Sequence, residues 1–249
     1  MKHLKVLGLA LVAIFALSAV AAQGAFAAEE FHSEKQNTII TAEQQAGAAG
    51  IQILEIEGGL KVECSTFKAE GTSTATAGSG SNWTAPSITV RPEYKGSPAT
   101  GGMTKCDSFL GHETVEVTTN ECHYKLFAAT TAEHALTSVI CPTGKKIEIS
   151  GGGLTLKIGG GAENENLTGV RYTNLGSGTS RNVTVKAEVA GIHYTCEPEF
   201  TCFLAGVPNS GSNAKYTGAS ESKGFEDLGG PAAETKGYTE GSQVGIWRE

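Results

Sequence analysis

Aspartate is almost missing from this chain: Asp107 and Asp227 are its only two, so nearly all of the acid is glutamate. That excludes Asp-rich calcium loops and argues against an Asp-based catalytic centre. Motifs that carry chemistry are missing as well. There is no G-x-S-x-G elbow, no H-E-x-x-H, no P-loop and no G-x-G-x-x-G at a strand-to-helix turn. Neither C-x-x-C nor H-x-x-x-H occurs, so His112, His123 and His193 lie near cysteines without zinc-ligand spacing, and no metal or cofactor is expected. Beyond the N-terminus no apolar stretch approaches membrane length. Basic residues are outnumbered, 19 Lys and Arg against 26 Asp and Glu. A surface this negative repels nucleic acid and anionic membranes, which excludes both as expected partners.

What is present begins with an address. Lys2 and Lys5 precede an apolar run from Val6 to Ala22, and Ala25-Phe26-Ala27 follows with small residues for a signal peptidase. Residues 1–27 therefore read as a secretory signal, and the expected location is outside the cell. Cleavage removes two lysines and takes the net charge from −7 to −9.

All six cysteines lie after the signal: Cys64, Cys106, Cys122, Cys141, Cys196 and Cys202. An even number in an exported chain points to three disulfides, with 15 possible pairings. Cys196 and Cys202 enclose only five residues, which suits a local staple. Pairing in chain order would make Cys64–Cys106 and Cys122–Cys141 the other two. The three loops would contribute on the order of 4, 3 and 2 kcal/mol, most for the longest.

Short alternating runs recur at residues 87–91, 114–118, 122–127, 146–150, 154–158 and 182–189, bounded by Gly, Asn, Pro, Ser and Thr. This is the period-2 pattern of half-buried strands, and no later segment sustains a helical period. The expected class is all-β. Self-comparison adds detail. Residues 55–64 resemble residues 188–196, each reading as a hairpin that ends in a cysteine, and three further short matches, one upstream and two downstream, keep the same order. The expected organisation is a first β unit at residues 28–93, a Cys-rich meander at 94–165 and a second β unit at 166–249. Each unit would carry about five strands in a sandwich- or barrel-like arrangement.

Several of these residues together resemble a known group. Cys64 with Phe67, Tyr94 and Cys106, Asn120-Glu-Cys-His-Tyr124, Cys141-Pro142, Lys215-Tyr-Thr-Gly218 and Gln243-Val-Gly-Ile246 look like uncharacterised paralogous families of secreted, disulfide-bonded actinobacterial β-proteins. The resemblance implies export, disulfides and a β fold. It implies no activity and no site residue.

Candidate functional residues are few. Ser65-Thr-Phe-Lys68 matches S-x-x-K in form, but that chemistry needs a helix and here the pattern is a strand. His112-Glu113 and Glu133-His134 are adjacent pairs, which point apart on a strand. Paired glutamates for glycan hydrolysis need only be near in space, so a secreted glutamate-based hydrolase is an alternative function. Trp83, Tyr94, Tyr238 and Trp247 lie in polar segments where rings stack on a sugar, anchor a partner or cover the ends of the core. Asn82, Asn166 and Asn182 head N-x-Thr sequons, which matter as glycan sites only in a eukaryotic secretory pathway. Finally, residues 197–215 form an extra segment that the first unit lacks. It holds the Cys196–Cys202 ring, with Phe200 inside, and then Phe203 in an apolar stretch. Such a loop could dock an unknown protein or glycan partner, or present Pro198 and Phe200 as a protease inhibitor. The leading expectation is an exported, non-catalytic binding or structural protein.

Overall fold

The computed structural model describes residues 29–95, 106–108, 113–128, 134–228 and 240–249. The signal segment, His112, Glu133 and Tyr238 lie outside the described residues. Nineteen strands follow one another: β1 (Phe31–Ser33), β2 (Asn37–Gln44), β3 (Gln52–Glu55), β4 (Lys61–Cys64), β5 (Thr66–Thr74), β6 (Ala77–Ser79), β7 (Asn82–Ala85), β8 (Ser87–Lys95), β9 (Cys106–Ser108) and β10 (Glu113–Thr118). The rest are β11 (His123–Phe127), β12 (Ala135–Ile140), β13 (Lys146–Gly151), β14 (Leu154–Gly159), β15 (Leu167–Leu175), β16 (Asn182–Glu197), β17 (Ser210–Asp227), β18 (Glu240–Val244) and β19 (Ile246–Arg248). One short helix, α1 (Glu199–Leu204), interrupts them between β16 and β17. The class is all-β, and the alternating runs fall on strands. Ile147 and Ile149 of β13 and Val183, Val185 and Val189 of β16 point inward and are buried.

The hydrogen-bonded order closes on itself twice. From β17 the pairing runs through β2, β5, β8, β11, β12 and β15 to β16, which pairs back on β17. From β17 it also runs through β3, β4, β9, β10, β13 and β14 to β16 again. Each path is a closed ring of eight antiparallel strands, and the two rings share β16 and β17. Those two strands are 16 and 18 residues long, about three times the usual length. Each is therefore long enough to serve both rings. Val183–Val189 pairs with Tyr216–Ser222 in the first ring, and Ile192–Thr195 with Ser210–Ala214 in the second. Both rings take strands from all three stretches of sequence, so the parts interleave in one sheet system.

The junction corrects one expectation. Residues 188–196 do not turn back as a hairpin; they continue as β16. A tight hairpin loop needs left-handed backbone where the chain reverses. Gly58 and Gly59, at φ 92° and 88°, supply it in the three-residue loop 57–59 between β3 and β4, where Gly59 N–H donates to Ile56 O at 3.0 Å. Gly191 alone, at φ 79°, is followed by β-branched Ile192, which resists that conformation. The outcome is a bulge, seen as a register shift between Val189 and Ile192.

A small second sheet, in the order β19-β1-β7-β6, covers one end. Its Phe31 and Ile246 pack against Ile40, Ile88, Val183 and Val185 of the first ring. At the far end of β16, helix α1 stands beside the second ring, where Thr201, Leu204 and Ala205 border an open pocket together with Val62, Ile149 and Leu156.

The three disulfides join Cys64 to Cys106, Cys122 to Cys141 and Cys196 to Cys202, and no cysteine is free. The first two obey the ladders. Glu63 pairs with Asp107 and His123 with Ile140, so Cys64–Cys106 and Cys122–Cys141 are the next facing positions, with Cα atoms 4.5 and 4.2 Å apart. Such spacing is that of directly opposed residues in antiparallel pairs.

Candidate functional site

Helix α1 is too short to persist on its own. It is held by its own hydrogen bonds, Cys202 N–H to Pro198 O at 3.1 Å and Ala205 N–H to Thr201 O at 3.0 Å. The Cys196–Cys202 bridge then pins its inner face to the end of β16. Cys202 is fully buried, and Val207 behind it is buried too. Phe200, Phe203 and Leu204 follow the i, i+3, i+4 spacing of a single helix face. They are 72%, 76% and 67% exposed. Among the described residues these are the three most exposed large hydrophobic side chains. Glu199 lies exposed beside them, and Glu197 at the foot of the helix accepts a hydrogen bond from Lys157 at 2.6 Å.

Trp83 and Trp247 stand elsewhere. They lie on β7 and β19 of the small sheet, on either side of β1, where Ser33 pairs with Trp83 and His32 with Trp247. Trp247 presents no free stacking face. Its ring is buried, stacked on His32 at 5.4 Å and covered by the Arg181 guanidinium at 4.4 Å. Trp83 is half-buried and donates through Nε1 to Gly80 O at 2.9 Å. The four candidate binding residues thus form two groups at opposite ends of the β16–β17 ribbon, with Phe200 and Phe203 the accessible pair.

Among the described residues, no catalytic grouping assembles at the positions singled out. Lys68 Nζ is 3.0 Å from Glu43 Oε1 on the outer surface, and Ser65 lies in the bend between β4 and β5, so the two do not share the helix face that S-x-x-K chemistry needs. Glu43, Glu188 and Glu197 all have pKa values held below the usual carboxylate value by hydrogen bonds from Lys68, Lys186 and Lys157. A general acid needs displacement in the other direction. Among the described residues no group of three or more His, Cys, Asp or Glu side chains is placed to hold a metal ion, and no helix is long and apolar enough to cross a membrane.

The interior holds a polar group of which only Tyr94 was a candidate from sequence, and its ring is buried there rather than displayed. Tyr94, Tyr124 and Tyr216 bring their hydroxyls together inside the first ring, with Tyr94 Oη 2.8 Å from Tyr124 Oη and 3.3 Å from Tyr216 Oη. Tyr216 donates to Gln52 Oε1. Gln52 is fixed by its own amide, which donates to Gly50 O at 2.6 Å and Ala219 O at 3.3 Å. Burial pushes the Tyr124 hydroxyl up to about 12 and raises those of Tyr94 and Tyr216 as well. The available signal was a tyrosine at an inward position of an alternating run, Tyr124 before Leu126. Comparison with protein-family models, curated proteins and solved structures finds no match for this chain.

Proposed function

We propose that the protein is an exported, non-catalytic β-protein that docks on a protein partner outside the cell through the apolar face of α1. The carrying observation is the display of Phe200, Phe203 and Leu204 on a helix stapled by its own disulfide. Water penalises such a display, and covering each of these side chains is worth about 2 kcal/mol. Its chemistry fits a groove lined by apolar side chains in another protein. A sugar would require several polar groups around the rings, and between Phe200 and Leu204 only Thr201 is polar. The neighbouring Glu199 and the net charge of −9 after signal cleavage favour a groove with a basic rim. A substrate-mimicking inhibitor loop is extended, whereas this segment is helical from Glu199. Export rests on the residue 1–27 signal together with the three disulfides and on the resemblance to secreted actinobacterial proteins.

The test is a photo-crosslinking residue at position 203 in the producing cell. The expected result is one discrete adduct that disappears in the Phe200→Ser/Leu204→Ser background, while thermal melting is unchanged. No adduct, or one indifferent to those substitutions, would overturn the docking role.

A further inference from the structure

The first ring is not filled by its side chains. A cavity of about 120 Å³ is lined from all eight of its strands and reaches into the second ring at Leu54, Ile147 and Ile158. Val117, Leu126, Leu167 and Ala187 line it and are only half-buried although they pack against the core. An eight-stranded ring is the size at which an interior is either filled by side chains or holds one small ligand. Apolar cavities of about 150 Å³ stay dry and accept a benzene-sized molecule.

One wall of the cavity is different. It carries the chain of hydroxyls Tyr124, Tyr94 and Tyr216, ending on Gln52. Three hydroxyl protons are available. Tyr216 uses one on Gln52 Oε1, and the Gln52 amide is committed to two backbone carbonyls, so this end is fixed. The Tyr94 proton can go to Tyr124 at 2.8 Å or to Tyr216 at 3.3 Å. In the first arrangement Tyr124 keeps its own proton for a guest. In the second Tyr124 donates to Tyr94 and offers its oxygen lone pairs. The wall can therefore serve a guest that accepts a hydrogen bond or one that donates it.

We propose that this cavity binds one small, largely apolar molecule of about one aromatic ring, whose single hydroxyl or carbonyl group pairs with the Tyr124–Tyr94 hydroxyls. The site is independent of α1, so its failure and that of the docking role are separable. Calorimetric titration of the purified protein with phenol and with toluene tests it. Phenol should bind, with toluene weaker by about fivefold to tenfold, the value of one net hydrogen bond. Tyr124→Phe removes one oxygen from an otherwise unchanged core and should abolish the preference while leaving toluene affinity intact. Ala187→Leu, which fills the cavity, should abolish binding of both. Absence of binding by either probe at millimolar concentration would overturn the proposal. So would phenol affinity that survives Ala187→Leu, or a preference that survives Tyr124→Phe. If the leucine variant does not fold, the Tyr124→Phe comparison still decides.

Discussion

Tyrosine hydroxyls supply the clearest titration behaviour of any side chain in this molecule. Burial holds Tyr124 and Tyr194 up at about 12, and lifts Tyr94, Tyr172 and Tyr216 too. In the unfolded chain these groups ionise near 10. Because the folded values are raised, the stability gained by keeping them neutral is fully present below pH 10. It is lost as the pH climbs from about 10 through 12. Five of the six tyrosines of the chain belong to this set. Alkaline titration followed by tyrosinate absorbance is therefore expected to rise mainly in one step, together with loss of the strand circular-dichroism signal. A smooth rise centred near pH 10 with the fold intact would contradict the buried assignment. A second residue-scale test sits at Gly191. An added Cβ there meets nothing within 4 Å, so only the φ of 79° opposes it. Gly191→Ala should cost about 1 kcal/mol, read as a lower urea midpoint, and a neutral result would remove the bulge from its place at the ring junction.

Among the elements, α1 depends most on covalent support. Replacing Cys196 and Cys202 together by serine should cost about 2 kcal/mol in the urea midpoint. Hydrogen exchange should show lost protection in α1 with β16 and β17 still protected; loss of protection along both long strands would mean that the bridge supports the rings themselves. Elements were also where sequence reading was strongest and then failed. Alternation located strands such as β8, β10, β13 and β14, because one face of each meets the core and the other meets water. The chain-order pairing considered for the six cysteines is the one observed: strand ladders set the first two bridges, and the third joins β16 to α1. What alternation does not encode is which strand lies beside which. The match between residues 55–64 and 188–196 was one of pattern, yet two consecutive glycines make a turn in the first and one glycine makes a bulge in the second. The exposed face of α1 was half legible: Phe200 and Phe203 stood out, whereas Leu204 needed the helix to join them. Trp247 looked available because its neighbours are polar, but His32 and Arg181, distant in sequence, cover its ring.

At the scale of the whole molecule, the shared ribbon ties the two rings together. Neither can lose β16 or β17 without opening the other, so calorimetry should record a single transition whose van't Hoff and calorimetric enthalpies agree. Two resolved transitions would mean that the rings unfold separately. The small sheet has a different consequence, a mechanical one. Its β1 and β19 lie side by side, with Phe31 opposite Arg248, and Glu30 and Glu249 exchange backbone hydrogen bonds at 2.8 and 3.1 Å. Tension applied between residues 29 and 249 would thus load this short ladder from its open end and peel it one bond at a time. The long β16–β17 ribbon would be left slack until the clasp had parted. A tether fixed at either of those residues would also leave α1, at the other end of the ribbon, pointing away from the point of attachment.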